Sequence, residues 1–266
     1  MSWLPQEWLK TVVMIERSQV GDKGIEFIPV GTGFITEYKN INILVTCKSV
    51  IYELEKKNDN IFVSFNLKNG VRARRQIEEI KHNFSVDWLF YDDSNIDIAM
   101  IPYSIDENND DIRRMGRDLY ESVSELSEGE EIFFLGFPLG IDPGFQYSMR
   151  PLVRQGIVSL IQPDKNFLIE AHVYPGNIGS PVFLKPSLVD FKNNTFGTIR
   201  PAKFIGIISH YIPYIDTAVS LQTRRPRIVF EENSGLARVI SADYITEMFK
   251  SERFKKVIKT CLFRKI

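Results

Sequence analysis

Apolar residues along this chain fall in short alternating runs broken by turn residues, the period-two pattern of strands with one buried face. Such runs over 11–16, 27–36, 41–46, 61–67, 71–78, 88–91 and 97–101 predict a first set of strands. A polar stretch over 104–130, rich in Asp, Glu, Asn and Ser, predicts a linker with a short helix. A second set of runs follows at 131–136, 146–159, 167–171, 179–184, 203–209 and 237–240. From Ala242 the period changes. Tyr244, Ile245, Met248, Phe249, Phe254, Val257, Ile258 and Leu262 recur at roughly helical spacing, which predicts one amphipathic helix to about Leu262.

Two groups of about six strands on either side of one linker predict an all-β fold: two packed six-stranded β-barrels with a C-terminal amphipathic α-helix. The expected units are an N-terminal barrel over 1–110, an acidic linker over 111–130, a second barrel over 131–241, and a helix with a basic tail over 242–266. There is no internal repeat and no low-complexity tract.

Composition adds little at first. Of 266 residues, 44% are hydrophobic and 25% charged, as in ordinary soluble globular proteins, and the net charge of -1 gives no whole-chain argument for nucleic acid or membrane. The charge is uneven, however. Stretches 106–111 and 125–131 are acidic, while the last seventeen residues set Lys250, Arg253, Lys255, Lys256, Lys259, Arg264 and Lys265 against Glu252 alone. A basic amphipathic tail can dock on an acidic partner or a membrane surface; the expectation here is a solvated helix face packed on the body. Arg224, Arg225 and Arg227 are likewise expected in a solvated loop rather than on nucleic acid. Cys47 and Cys261 fit neither a disulfide framework nor a metal motif. The N-terminus lacks a basic and an apolar leader region, and no run of about 18 apolar residues could span a bilayer. The expected setting is cytoplasmic, with the chain mature from Met1.

Four local patterns occur in order: Gly31-Thr32-Gly33-Phe34, then Leu44-Val45-Thr46-Cys47-Lys48-Ser49-Val50-Ile51, then Asp97-Ile98-Ala99-Met100, and Gly176-Asn177-Ile178-Gly179-Ser180-Pro181-Val182-Phe183. The set resembles the trypsin-like (chymotrypsin-fold) serine peptidases, in particular their bacterial intracellular branch. Gly136-Phe137-Pro138, Gly156-Ile157-Val158-Ser159, Gly206-Ile207-Ile208-Ser209 and Glu232-Asn233-Ser234-Gly235-Leu236 extend the resemblance from about Leu9 to Ile245.

In that family a His is the general base, an Asp orients it and a Ser attacks the carbonyl. The resemblance places the Asp at Asp97, the His position at Ser49 and the nucleophile position at Ile178. Ser49 has no ring nitrogen, and Ile178 has no nucleophilic atom. Loss of such a triad costs about 10⁶ in turnover in subtilisin, so the expectation is a peptidase homologue that is not an enzyme. His82, His172 and His210 are expected as pocket or surface residues, with His172 at the floor of the specificity pocket. Asp97 is expected to accept hydrogen bonds from Ser49 and Ser209. A hydrolase rebuilt on Cys47, Lys48, Ser49 or Ser180 stands as the alternative, as does a purely structural subunit.

What the resemblance keeps is backbone. Gly176, Asn177 and Ile178 correspond to the loop whose N–H groups form an oxyanion hole, and His172, Ser209, His210 and Tyr211 to the peptide-binding cleft. Asn177 stands where many relatives have the Asp that a new N-terminus pairs with, so activation of that kind is not expected. The implied partner is a protein or extended peptide held by the cleft or the C-terminal helix. No phosphate loop, metal cluster or cofactor signature is present, and no cofactor is expected.

Overall fold

In a computed structural model, the residues described are 4–22, 24–57, 59–139, 149–190 and 195–264. The first half of the chain builds one antiparallel sheet of seven strands: β1 (Val12–Gly21), β2 (Gly24–Tyr38), β3 (Ile41–Thr46), β4 (Ile61–Asn66), β5 (Arg72–Gln76), β6 (Leu89–Phe90) and β7 (Ala99–Tyr103). Their order is β5-β4-β1-β2-β3-β7-β6. β3 is buried along its whole length, which is why its sequence reads as a continuous apolar run rather than an alternation.

One helix, α1 (Gln6–Leu9), precedes this sheet, and two, α2 (Lys48–Lys56) and α3 (Ile77–Phe84), fall between its strands. α3 corrects the strand expected over 71–78. The strand stops at Gln76, and Ile77, Ile80 and Phe84 then turn one helical face into the core.

The second half forms a closed barrel from β8 (Glu131–Gly136), β9 (Leu152–Ile161), β10 (Phe167–Glu170) and β11 (Pro181–Leu184), completed after a separate hairpin of β12 (Ser187–Asp190) and β13 (Thr195–Arg200) by β14 (Lys203–Val219) and β15 (Pro226–Ser241). The all-β fold of two packed sheets is as expected, and the second closes into a six-stranded barrel; the first is a seven-stranded sheet rather than the six-stranded barrel expected. The beginning of the strand expected over 146–159 lies outside the described residues, as do Met1 and Lys265.

Alternation along the barrel strands joins the lobes. In β8, Ile132 and Phe134 point into the barrel, whereas Phe133 belongs to the core shared with the first sheet. Phe183 does the same in β11. An aromatic seam results: Phe133 stacks on Phe183 at 5.0 Å, Trp8 of α1 meets Phe183 at 4.9 Å, and Phe34 of β2 meets Phe204 of β14 at 5.2 Å. The 104–130 stretch is not a free tether. Met115 donates its N–H to Ile35, Glu121 donates to Phe204, and two short 3₁₀ turns follow the surface.

The C-terminal segment is two helices, α4 (Ala242–Lys250) and α5 (Glu252–Arg264), not one. Ser251 sits between them in extended conformation, with its Oγ accepting the Phe254 N–H at 3.2 Å. Phe249 and Phe254 both close on Tyr38 of the first lobe, at 5.3 and 5.1 Å. Arg253, Lys256 and Lys259 face solvent. No described helix is long and apolar enough to cross a membrane.

Candidate functional site

The cleft lies where the two lobes meet, and Thr32 of β2 ties its floor together. Its N–H donates to the Ile178 carbonyl at 2.9 Å, its Oγ1 donates to the Gly176 carbonyl at 2.7 Å and accepts the Phe137 N–H at 3.1 Å. The Thr32 carbonyl in turn accepts from Thr46 Oγ1 at 2.8 Å. Thr32 and Thr46 stood inside the motifs read from the sequence, but as bystanders. The signal was a β-branched hydroxyl at buried strand positions, where a hydroxyl must find partners.

The loop that Thr32 holds turns through two left-handed glycines, Gly176 (φ 90°) and Gly179 (φ 88°). A Cβ on Gly179 would stand 2.0 Å from the Thr32 carbonyl oxygen, so both the conformation and the space demand glycine. Within the loop, the Asn177 N–H donates to Tyr174 O and Ser180 N–H donates to Asn177 O, each at 3.0 Å. The N–H groups of Gly176 and Ile178 donate to nothing among the described residues. Two of the three expected loop donors are therefore available, and Asn177 is not. The Ile178 side chain is half-buried and packs on both hydrophobic cores.

Across the cleft, Ser49 is the second residue of α2. Its N–H donates to Asp97 Oδ1 and its hydroxyl to Oδ2, each at 2.7 Å. Cys47, at the helix N-cap, makes no side-chain cap. The Asp97 carboxylate, reaching in from the loop before β7, supplies that acceptor instead, where the helix dipole also favours negative charge. The Lys48 ammonium lies 5.8 Å from the centre of the Tyr52 ring.

Ser209 does not reach Asp97, contrary to expectation. Its hydroxyl donates to the Arg238 carbonyl at 3.2 Å and lies 3.1 Å from His210 Nδ1. The reason is register: a bulge between Ile208 and His210 turns Ser209 toward β15. His210 is exposed as a residue, yet the protein beside its ring desolvates the cation and, with the Arg238 charge, lowers its pKa against the opposing pull of Asp97. His172 is exposed, and its carbonyl accepts from Arg154 at 2.9 Å. His82 is exposed on α3.

Of the groups considered for a rebuilt site, two are unsuited to attack. Cys47 is fully buried and donates to Ile208 O at 3.2 Å; burial first, and Asp97 second, push its thiol pKa up. The reactive thiolate is thereby disfavoured. Ser180 is fully buried just ahead of β11. Ser49 is exposed and hydrogen-bonded to a carboxylate.

One wall of the cleft is β14. Its pairing with β11 ends at Ile207, while its pairing with β15 continues to Val219. From Ser209 onward its other edge pairs with no strand among the described residues.

This geometry agrees with the comparisons. The trypsin-like peptidase domain profile matches residues 31–186, and the chain belongs to that family. The structure of Deg5 is similar, with a TM-score of 0.52 and 17% identity over 91% of this chain and 88% of that one. A variant of the HtrA-type protease AlgW, solved with a decapeptide, aligns with a TM-score of 0.49 and 14% identity over 91% of this chain and 63% of that one. No curated protein matches in sequence. The expectation that the chain is not an enzyme is corrected here: the family to which residues 31–186 belong is one of peptidases.

Proposed function

We propose that this member of the trypsin-like peptidase family takes polypeptide in extended form, laid along β14 from Ser209 to Ile212. One observation carries the reading. The open edge of β14 lies beside a loop whose Gly176 and Ile178 N–H groups have no acceptor among the described residues, so main-chain donors and acceptors on both elements can take an extended backbone. Strand addition of this kind supplies affinity through main-chain hydrogen bonds and specificity through alternate side chains. Hydrogen exchange in the presence of a random-coil peptide library tests it. Protection is expected at Ser209–Ile212 and at 176–178; unchanged exchange at both segments would end the proposal. The masses of the recovered peptides report whether the bound segment is cut.

A second reading rests on Ser49. Its hydroxyl is exposed and bonded at 2.7 Å to Asp97 Oδ2, the geometry of an oxygen nucleophile beside a carboxylate that can take its proton. In this reading the chain hydrolyses the bound segment with a rebuilt site. A fluorophosphonate is expected to label Ser49 and to leave the Ser49→Ala chain unmodified; labelling elsewhere, or none, removes this reading without touching the first.

A further inference from the structure

Beyond the cleft, β14 and β15 continue as a two-stranded arm. Pairing runs in unbroken register from Pro213↔Asn233 to Ala218↔Ile228, and nearly every residue from 214 to 234 is exposed. Directly opposed residues share a face of a ribbon. Tyr214, Asp216, Ala218, Ile228, Phe230 and Glu232 therefore lie on one side. Tyr214, Ile228 and Phe230 are each exposed by half or more, and Leu221 at the tip is 85% exposed. Contiguous apolar surface of this kind marks an interaction site.

Charge along the arm is zoned. From Thr217 to Phe230 there is no acid, and Arg224, Arg225 and Arg227 stand at the tip; Asp216, Glu231 and Glu232 occupy the base half. Three cations at the tip stand against Asp216 and Glu232 on this face; Glu231 lies on the other face and accepts from the Tyr211 hydroxyl. Laid antiparallel, the arm is complementary to itself.

We propose that the occupant of this face is the same arm of a second copy. The two arms lie antiparallel about a twofold axis, with each arginine tip over the Asp216 and Glu232 of its partner. Such an isologous contact requires self-complementarity, and zoned charge with a shared apolar face provides it. The rows from Pro213 to Val219 span roughly 20 Å. A stable interface needs about 800 Å² per partner, so the arms must lie along each other rather than meet at their tips. A lipid surface fits less well, because the unpaired edges of a two-stranded ribbon would enter hydrocarbon unsatisfied. An acidic protein would answer the arginines and leave Asp216 and Glu232 without counter-charge.

The full chain tests this in sedimentation equilibrium across the micromolar range. The native protein is expected to be a dimer that weakens as salt rises. Arg224→Glu/Arg225→Glu/Arg227→Glu alone, and Asp216→Arg/Glu232→Arg alone, are expected to be monomers with native circular dichroism. Their equimolar mixture is expected to regain the dimer. A native chain that stays monomeric overturns the proposal, and if it also pellets with anionic vesicles the arm belongs to a lipid surface. A dimer that survives both swaps, or swapped chains that fail to pair when mixed, overturns it equally.

Discussion

Thr32 spans the cleft with one small side chain. Replacing it with Val keeps its shape but removes the Thr32 Oγ1 acceptor of the Phe137 N–H and the Thr32 donor to the buried Gly176 carbonyl. Losing hydrogen bonds of this kind from buried groups costs about 1–3 kcal/mol each. Thr32→Val is expected to lose about 2–4 kcal/mol in denaturant titration, whereas a neutral substitution would show that the loop is held by other means. His210 has a different signature. Its lowered pKa means that the folded chain takes up the imidazole proton less readily than the unfolded chain. Its stabilising contribution is thus intact above the ordinary imidazole value of about 6.5 and is lost as pH falls through the lower folded value. The His210→Gln chain is expected to lose less melting temperature than the native chain just below pH 6.5; parallel curves would refute the assignment. Motif order singled out Ser49, Asp97 and Ile178, and the structure brings Ser49 and Asp97 into contact. The partners of Asp97 were only half readable, because a bulge of one residue redirects Ser209 and leaves no mark in the periodicity.

Among elements, the C-terminal pair shows where periodicity misleads. The apolar series from Tyr244 to Leu262 looks continuous, but the step from Phe249 to Phe254 is five residues, one more than a helical face allows. That gap holds Ser251, which ends α4 and caps α5. Ser251→Ala is expected to cost about 1 kcal/mol and to lower the melting temperature by about 2–4 °C; an unchanged value would mean that packing on Tyr38 alone sets the break. β3 and β8 were found at their full lengths from their apolar runs, because burial decides both the residues and the limits of those strands. The arm built by β14 and β15 escaped notice. Strand reading looks for a buried face, and a ribbon exposed on both sides has none.

For the whole molecule, the decisive feature is that the two lobes share a core. Phe133, Phe183 and Phe204 leave the barrel to join the first sheet, with Trp8 and Phe34 packed against them. Two separate barrels would unfold in two steps; lobes that share buried aromatics, each pair contributing about 0.5–1.5 kcal/mol beyond its area, should unfold together. Phe204 is the sharpest probe, since it is fully buried and touches Phe34, Tyr120 and Phe183. Phe204→Ala is expected to remove about 3–5 kcal/mol while keeping one transition. Circular dichroism and the fluorescence of Trp8 at the seam, read in a background where Trp3 and Trp88 are replaced by Phe, should then give the same midpoint. If the Trp8 signal moves to a lower midpoint while the sheet signal keeps the native one, the lobes are separable units. The cleft between them would then be a hinge, rather than a floor fixed by Thr32 and the aromatic seam.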